Sequence, residues 1–331
     1  VSHLSIRDLV TEFQSPSGIV RAVDGVSFDV NPGEIFGIVG ESGCGKSATC
    51  RSILQLFGGA AARVAGGQIM LEGAGDLASM KEGALSQIRG RDVAFIFQDP
   101  LTALNPTMRV GKQISEVIRR HRKVSKKEAR EAALQLLRDV HVTSPERRLD
   151  AYPHELSGGL RQRVVIAIAL ALRPRLIIAD EPTTALDVTV QDQILRLLKE
   201  RRDSFGTSII LVTHDLGVVS QICDRMAVMY AGRVVETGLV RDVLDAPSHP
   251  YTKALLAALP GQTGRDQDLI PINGSPPSLI SPPDGCRFAQ RCSFAQQQCT
   301  TGRPPALQQR RGGQSGHLDA CILNEVVHVA A

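Results

Sequence analysis

The stretch Gly40-Glu41-Ser42-Gly43-Cys44-Gly45-Lys46-Ser47 follows the apolar run EIFGIV at 34–39. It precedes a segment in which Ile53, Leu54 and Phe57 recur at helical spacing. Strand, glycine-rich turn and helix, in that order, are what a phosphate-binding loop requires. Glycines let the chain wrap closely around an anion with backbone N–H groups pointing inward, and the start of the helix adds a favourable potential. Lys46 is then placed to reach the terminal phosphates, and the Ser47 hydroxyl to ligate Mg²⁺. The candidate cradle is Gly40, Glu41, Ser42, Gly43, Cys44, Gly45, Lys46, Ser47 and Ala48.

Working outward, the surrounding pattern is α/β. VSFDV at 26–30 alternates, Asn31-Pro32-Gly33 turns the chain, and QIMLEG at 68–73 is a further strand candidate. Residues 5–40 read as short strands broken by turns. Downstream, RLIIADE at 175–181 is an apolar strand that would present Asp180 to magnesium and Glu181 to an attacking water. Residues 190–202 are helical with Ile194, Leu197 and Leu198 inward, and SIILVTH at 208–214 is a strand ending at His214. A histidine there can add a polar group near the γ-phosphate. Two strands are expected around Ala231-Gly232, with Met226, Val228, Val234 and Val235 as their apolar positions.

Composition bounds the class. At 331 residues the chain is long enough for roughly two domains at about 150 residues each. Apolar residues are 43% and charged residues 22%, which excludes a wholly disordered or fibrous chain. Lys+Arg 38 against Asp+Glu 34 leaves +4, too small to identify a nucleic-acid or membrane partner. The longest uncharged apolar run, 164–172, has nine residues, about half of a bilayer span. VSHLSIRDLV reaches Asp8 before any signal-like run forms, so export is not expected.

Two regions stand apart. Residues 111–148 carry eleven Lys/Arg and five Asp/Glu, a local charge of +6. Ser125 and Glu128 form a capping-box pattern there, and Ala129, Ala132, Leu136, Leu137 and Val140 form one apolar face. Charge alone leaves a solvated helical insert, a membrane surface or a partner surface open. Residues 261–331 hold seven of the eighteen prolines and four of the seven cysteines. Cys286, Cys292, Cys299 and Cys321 are spaced C-x5-C-x6-C-x21-C, which fits zinc or an iron–sulfur cluster in a cytosolic protein. Residues 270–310 offer little apolar material for a core of their own. Arg287 and Arg291 flank the first cysteines and are expected to offset thiolate charge.

Ser157-Gly158-Gly159 opens the apolar helix through 164–172, which Pro174 ends. Taken alone, it is an ordinary helix cap or a second anion site. In the longer stretch Leu156-Ser157-Gly158-Gly159-Leu160-Arg161-Gln162-Arg163 it resembles the signature loop of ATP-binding-cassette transporter ATPase subunits. Gln98 in FQDP resembles that family's Gln loop, Thr184-Ala185-Leu186-Asp187 its Asp loop, and His214 its switch histidine. Phe13 lies where the family stacks an aromatic on adenine. All six elements occur in family order over residues 5 to about 260.

The resemblance implies a phosphate-loop ATPase fold with an antiparallel β subdomain, a helical signature subdomain at about 100–173 and a C-terminal cysteine-bearing extension. It implies a 1–260 ATPase domain and a 261–331 extension. Two such ATPases would meet head to tail, so that Ser157, Gly158 and Gly159 of one contact ATP on the other. Lys46, Ser47, Asp180 and Gln98 would surround phosphate and magnesium, Glu181 would act on water with His214, and Asp187 would couple the two sites.

The segment PSHPYTKALL at 247–256 and the cysteine pattern resemble the dipeptide and oligopeptide importer branch, which favours a [4Fe–4S] cluster over zinc. Implied partners are two transmembrane permease subunits, a second, non-identical ATPase and an extracytoplasmic peptide-binding protein. No nucleic acid is implied, and the place is the cytoplasmic face of the membrane. Nickel, glutathione or antimicrobial-peptide uptake stay open. So does a non-transport cassette acting on DNA or ribosomes, or one that binds nucleotide without hydrolysis. The first lacks its usual second cassette or coiled-coil insertion here, and Glu181 and His214 speak against the second.

Overall fold

The computed structural model describes residues 2–59, 61–184, 186–258, 271–309 and 316–323. Its strands are β1 (Leu4–Ser15), β2 (Gly18–Val30), β3 (Ile35–Val39), β4 (Ala62–Leu71), β5 (Gly75–Asp76), β6 (Val93–Ile96), β7 (Leu176–Asp180), β8 (Ser208–Val212), β9 (Arg225–Tyr230), β10 (Arg233–Leu239), β11 (Gln308–Gln309) and β12 (Leu318–Asp319). The chain divides into two compact units. One comprises Val30–Ile35 and Met80–Val212; the other comprises Ser2–Asp29, Phe36–Ser79 and Thr213–Ala331. The boundary expected at 260–261 lies outside the described residues. Among the described residues, no helix is long and apolar enough to cross a membrane.

In the first unit, β7 pairs in parallel with both β6 and β8. β7 and β8 are buried along their whole length, as expected for continuous apolar runs covered on both faces. The expected capping box forms, with Ser125 Oγ accepting from the Glu128 amide and Glu128 accepting from the Ser125 amide. The buried face of helix Lys126–Asp139 is Ala129, Ala133 and Leu137, followed by the buried Val140. Ala132, expected inward, is exposed, and Leu136 is half-buried. The stripe follows i, i+4 steps from Ala129, and Ala132 falls on its solvent flank. The positive charge of the insert is partly paired across the surface, Arg130 with Asp150 and Arg138 with Glu146.

In the second unit, the antiparallel sheet has the order β2-β1-β4-β5. β1 and β2 are twelve and thirteen residues long, not the short strands expected. The polar pair Arg7-Asp8 does not end β1. It is absorbed as a register shift between Arg7 and Val10, with Asp8 at φ 47 and its amide donating to Ser27 Oγ. The alternation at 26–30 holds, with Val26, Phe28 and Val30 buried.

Strand β3 pairs in parallel with β9, and β9 forms a hairpin with β10 around Ala231 and Gly232. Both turn residues have positive φ, 46 and 83, which suits a tight hairpin turn. The tail joins this unit through β12, with Glu236 opposite Asp319. The fully buried Glu236 accepts from the Ser248 and His249 amides and is 2.7 Å from His317 Nε2. The tail also has an apolar anchor that its composition hides. Phe288, 2% exposed, packs edge-on against Tyr230 and Tyr251 at 5.3 and 5.4 Å between ring centroids.

Candidate functional site

The phosphate loop lies in the second unit, between β3 and helix Lys46–Ile53. Gly45 is the N-cap at φ 105, and a Cβ there would meet the Ala22 carbonyl at 2.3 Å. A Cβ on Gly40, at φ 147, would meet the Met229 carbonyl at 2.2 Å. Both positions therefore demand glycine, for conformation and for space. The buried Lys46 curls back over the loop, its Nζ donating to the Gly40 and Glu41 carbonyls at 2.8 and 2.9 Å. A buried ammonium at the start of a helix, beside a glycine-rich loop, is a donor that a polyphosphate can use. Burial pushes the Cys44 thiol up. Phe13 is half-buried and packs edge-on against Phe57 at 6.0 Å, beyond the end of the helix. His214 is exposed, two residues past β8 and directly before Asp215, the N-cap of helix Leu216–Ile222.

The other expected residues lie in the first unit. Asp180 ends β7, fully buried, and Glu181 follows with φ 47. A left-handed glutamate is a strained backbone, held here by its amide, which donates to the Val212 carbonyl at 3.0 Å. The Glu181 carboxylate receives Gln98 Nε2 at 3.1 Å and Thr184 Oγ1 at 2.8 Å on the same oxygen. Gln98 and Glu181 are thus brought together. Thr184 is a site residue that the Asp-loop resemblance does not mark, although a hydroxyl three residues beyond the glutamate is a visible signal.

Asp187 caps helix Val188–Phe205, its side chain accepting from the Val190 amide at 2.9 Å. Ala185 of the same loop lies outside the described residues. Ser157 is the N-cap of helix Gly158–Leu170, but its exposed side chain makes no capping hydrogen bond. Gly159 lets this helix approach the next: a Cβ would stand 3.0 Å from Val190 Cγ1.

The cysteines of the tail belong to the second unit. Cys286, Cys292, Cys299 and Cys321 all line one small pocket, with His249, Phe288 and Leu323. None of them is in a disulfide. Burial pushes the Cys286 and Cys292 thiols up, and Cys321 to about 12. Among the described residues, no group of three or more His, Cys, Asp or Glu side chains is arranged around a single metal ion. Any thiolate-bound group here would require these thiols to lose their protons.

Arg287 and Arg291 do not serve as counter-charges for this pocket. Arg287 pairs with Asp24 and the Ala231 carbonyl, and Arg291 pairs with Glu41 of the phosphate loop. Read locally they flank cysteines; in the fold their guanidinium groups find carboxylates instead.

Comparison with known proteins follows this geometry. Residues 23–184 match the family model described as ABC transporter, and 235–299 match that of the oligopeptide/dipeptide transporter C-terminal region. A probable peptide ABC transporter ATP-binding protein of Sinorhizobium fredii is 49% identical, over 98% of this chain and 96% of the relative. The dipeptide transport ATP-binding protein DppD of Bacillus subtilis is 52% identical, over 87% of this chain and 86% of its own length. Among solved structures, the dimeric post-hydrolysis state of the ATP-binding cassette MJ0796 with ADP and Pi aligns with TM-score 0.65 at 28% identity. The alignment covers 72% of this chain and 99% of that one.

Proposed function

The chain belongs to the ATP-binding-cassette transporter family, and from that premise we propose that it hydrolyses ATP to drive import of dipeptides or oligopeptides. The observation that carries the hydrolytic reading is the Glu181 carboxylate, fixed by Gln98 and Thr184 at the end of β7. A carboxylate oriented by hydrogen bonds from Gln98 and Thr184 is ready to position and polarise a water. The peptide cargo is supported by the match of 235–299 and by the relatives' names.

In this mechanism the amides of Gly40–Ser47 and the Lys46 ammonium hold the β- and γ-phosphates. Ser47, Asp180 and Gln98 would hold Mg²⁺, which supplies charge neutralisation on the transferred phosphoryl group. Phe13 offers a ring face to adenine. Glu181 takes up the proton of the attacking water while His214 supports the γ-phosphate side. Ser157, Gly158 and Gly159 present their free hydroxyl and helix-start amides to ATP held by a second ATPase, and Asp187 links the two sites.

Residues 1–260 form the ATPase domain in this reading, with the helical signature subdomain at about 100–173, and 261–331 the extension. The partners are two transmembrane permease subunits, a second, non-identical ATPase and an extracytoplasmic peptide-binding protein. The chain works at the cytoplasmic face of the membrane, held there by the permease, with the basic insert and the segment near Gln98 toward it. Cys286, Cys292, Cys299 and Cys321 would hold a [4Fe–4S] cluster, supported by four thiols on one pocket. The cluster would supply cross-linking of the tail. Zinc is the alternative on the same donors.

The test is transport by the complete complex in vesicles with MgATP inside. Labelled dipeptides and oligopeptides should accumulate with ATP consumption. Uptake of nickel or glutathione without peptide uptake would reject the cargo, and peptide uptake without ATP hydrolysis would reject the enzyme.

A further inference from the structure

The C-terminal extension reaches the phosphate loop. Arg291 grips Glu41 through both ends of its fork, Nη1 to Oε2 at 2.7 Å and Nη2 to Oε1 at 2.9 Å. The guanidinium is nearly fully buried, with its side chain 5% exposed. Its remaining donors go to Tyr230 Oη and the Ile272 and Asn273 carbonyls, at 3.2, 3.2 and 3.0 Å. It lies 5.7 Å from the centre of the Tyr230 ring. The Glu41 backbone is held from the same side, its amide donating to Tyr251 Oη at 2.9 Å.

A second prop comes from the same turn of the tail. Arg287 binds Asp24 and the Ala231 carbonyl, and the next residue, Gly232, donates its amide to the Cys44 carbonyl of the loop at 2.8 Å.

Glu41 is an odd residue for this place. The loop collects amides and an ammonium for a polyanion, and Glu41 adds a carboxylate to it. An uncompensated charge there would repel phosphate and would also compete for Lys46. Arg291 answers both problems, since a bidentate pair neutralises the carboxylate and fixes its direction. The geometry points to Arg291 as a positioning residue for nucleotide binding, which makes the extension a working part of the ATP site. This rests on the loop 40–48 being that site.

The experiment is MgATP titration of the purified full chain by calorimetry, with thermal unfolding as the control for folding. Arg291→Ala should weaken binding about tenfold while the folded protein persists. Arg291→Lys should recover only part of the loss, because an ammonium cannot make the fork. Glu41→Gln removes the charge that Arg291 offsets, and its own affinity is the reference for that background. In that background Arg291→Ala should cost less than about threefold, since the charge it offsets is gone.

A merely structural Arg291 would lower the unfolding temperature equally in both backgrounds and leave affinity alone. Binding within twofold in Arg291→Ala overturns the proposal, as does an equal loss with Glu41 and with Gln at position 41. If Arg291→Ala does not fold, the same cycle run with Arg291→Lys decides by the same criteria. Lys46→Ala separates the premise. Undiminished binding in that variant overturns the nucleotide-site reading itself, whereas its loss beside normal binding in Arg291→Ala overturns only the role of Arg291.

Discussion

Gln98 donates its side-chain amide to Glu181 at 3.1 Å, so the residue that would sense magnesium also orients the carboxylate that would activate water. The two belong to different segments of one unit, 83 residues apart, and the strand pairing of β6 with β7 brings them together. Thr184 completes the arrangement from the loop after β7. The Glu41 carboxylate, by contrast, is matched by a guanidinium.

Glu181→Gln should therefore lower ATP turnover about 10²- to 10⁴-fold, the range for loss of a general base, while MgATP affinity stays unchanged. Thr184→Val should cost less, because Gln98 still orients the carboxylate. Steady-state hydrolysis by the assembled transporter measures both. Near-normal turnover by Glu181→Gln, with the partner ATPase inactivated, would remove the residue from the mechanism.

Ser157→Ala should leave thermal stability where it is. An N-cap serine normally contributes about 0.5–2 kcal/mol through its side chain, and Ser157 makes no such bond to lose. Hydrolysis should nevertheless fall at least about tenfold, because in the head-to-tail reading the hydroxyl would serve nucleotide on the other ATPase. A photoreactive group at 157 should label nucleotide bound to the partner. Labelling of nucleotide bound only to its own chain would sink the head-to-tail arrangement.

Acid should unlock the junction of the tail. Burial holds the His249 imidazole down at about 4, against an ordinary value of 6.5. Folded protein therefore keeps His249 neutral where the unfolded chain is already protonated. Its contribution is present above about pH 6.5 and is lost as the pH falls toward about 4, amounting to about 3 kcal/mol across that window. His249→Asn keeps an acceptor for the Tyr251 amide, which His249 Nδ1 now accepts at 3.1 Å. Denaturant unfolding at several pH values should show a shallower acid slope in that variant. An unchanged slope would assign the acid loss to other groups.

Anaerobically purified protein should carry about four iron and four sulfide per chain, with absorption near 400 nm. Changing any one of Cys286, Cys292, Cys299 or Cys321 to Ser should release the metal. Stoichiometric zinc without sulfide would replace the cluster, and four free thiols without metal would leave the cysteines as packing residues.

Much of this was legible in the chain. The alternation at 26–30, the apolar runs of β3, β7 and β8 and the capping box at Ser125 are local patterns, and each forms as read. Gln98 and Glu181 are each legible in a recognisable stretch, but their contact is not, because it joins segments 83 residues apart. Nor is the Arg291–Glu41 pair legible. Its partners are 250 residues apart, and a cysteine on either side of the arginine invites a local reading of its charge. Phe288 is hidden for a similar reason: a single aromatic in a proline-rich segment gives no periodicity. Ala132 was placed inward because its spacing from Ala129 is also helical; which flank meets the core is decided by the neighbouring helices.

The separation of Arg291 from Glu41 also sets a timetable. Glu41 is translated 250 residues ahead of its guanidinium prop. At about 5–20 residues per second, the ribosome needs roughly 12–50 s to deliver it. During that interval the nascent loop carries Lys46, its own amides and an unneutralised carboxylate. The carboxylate would be neutralised only once Arg291 has followed. A fragment cut before 285, whatever motifs it retains, would be held permanently in that earlier stage.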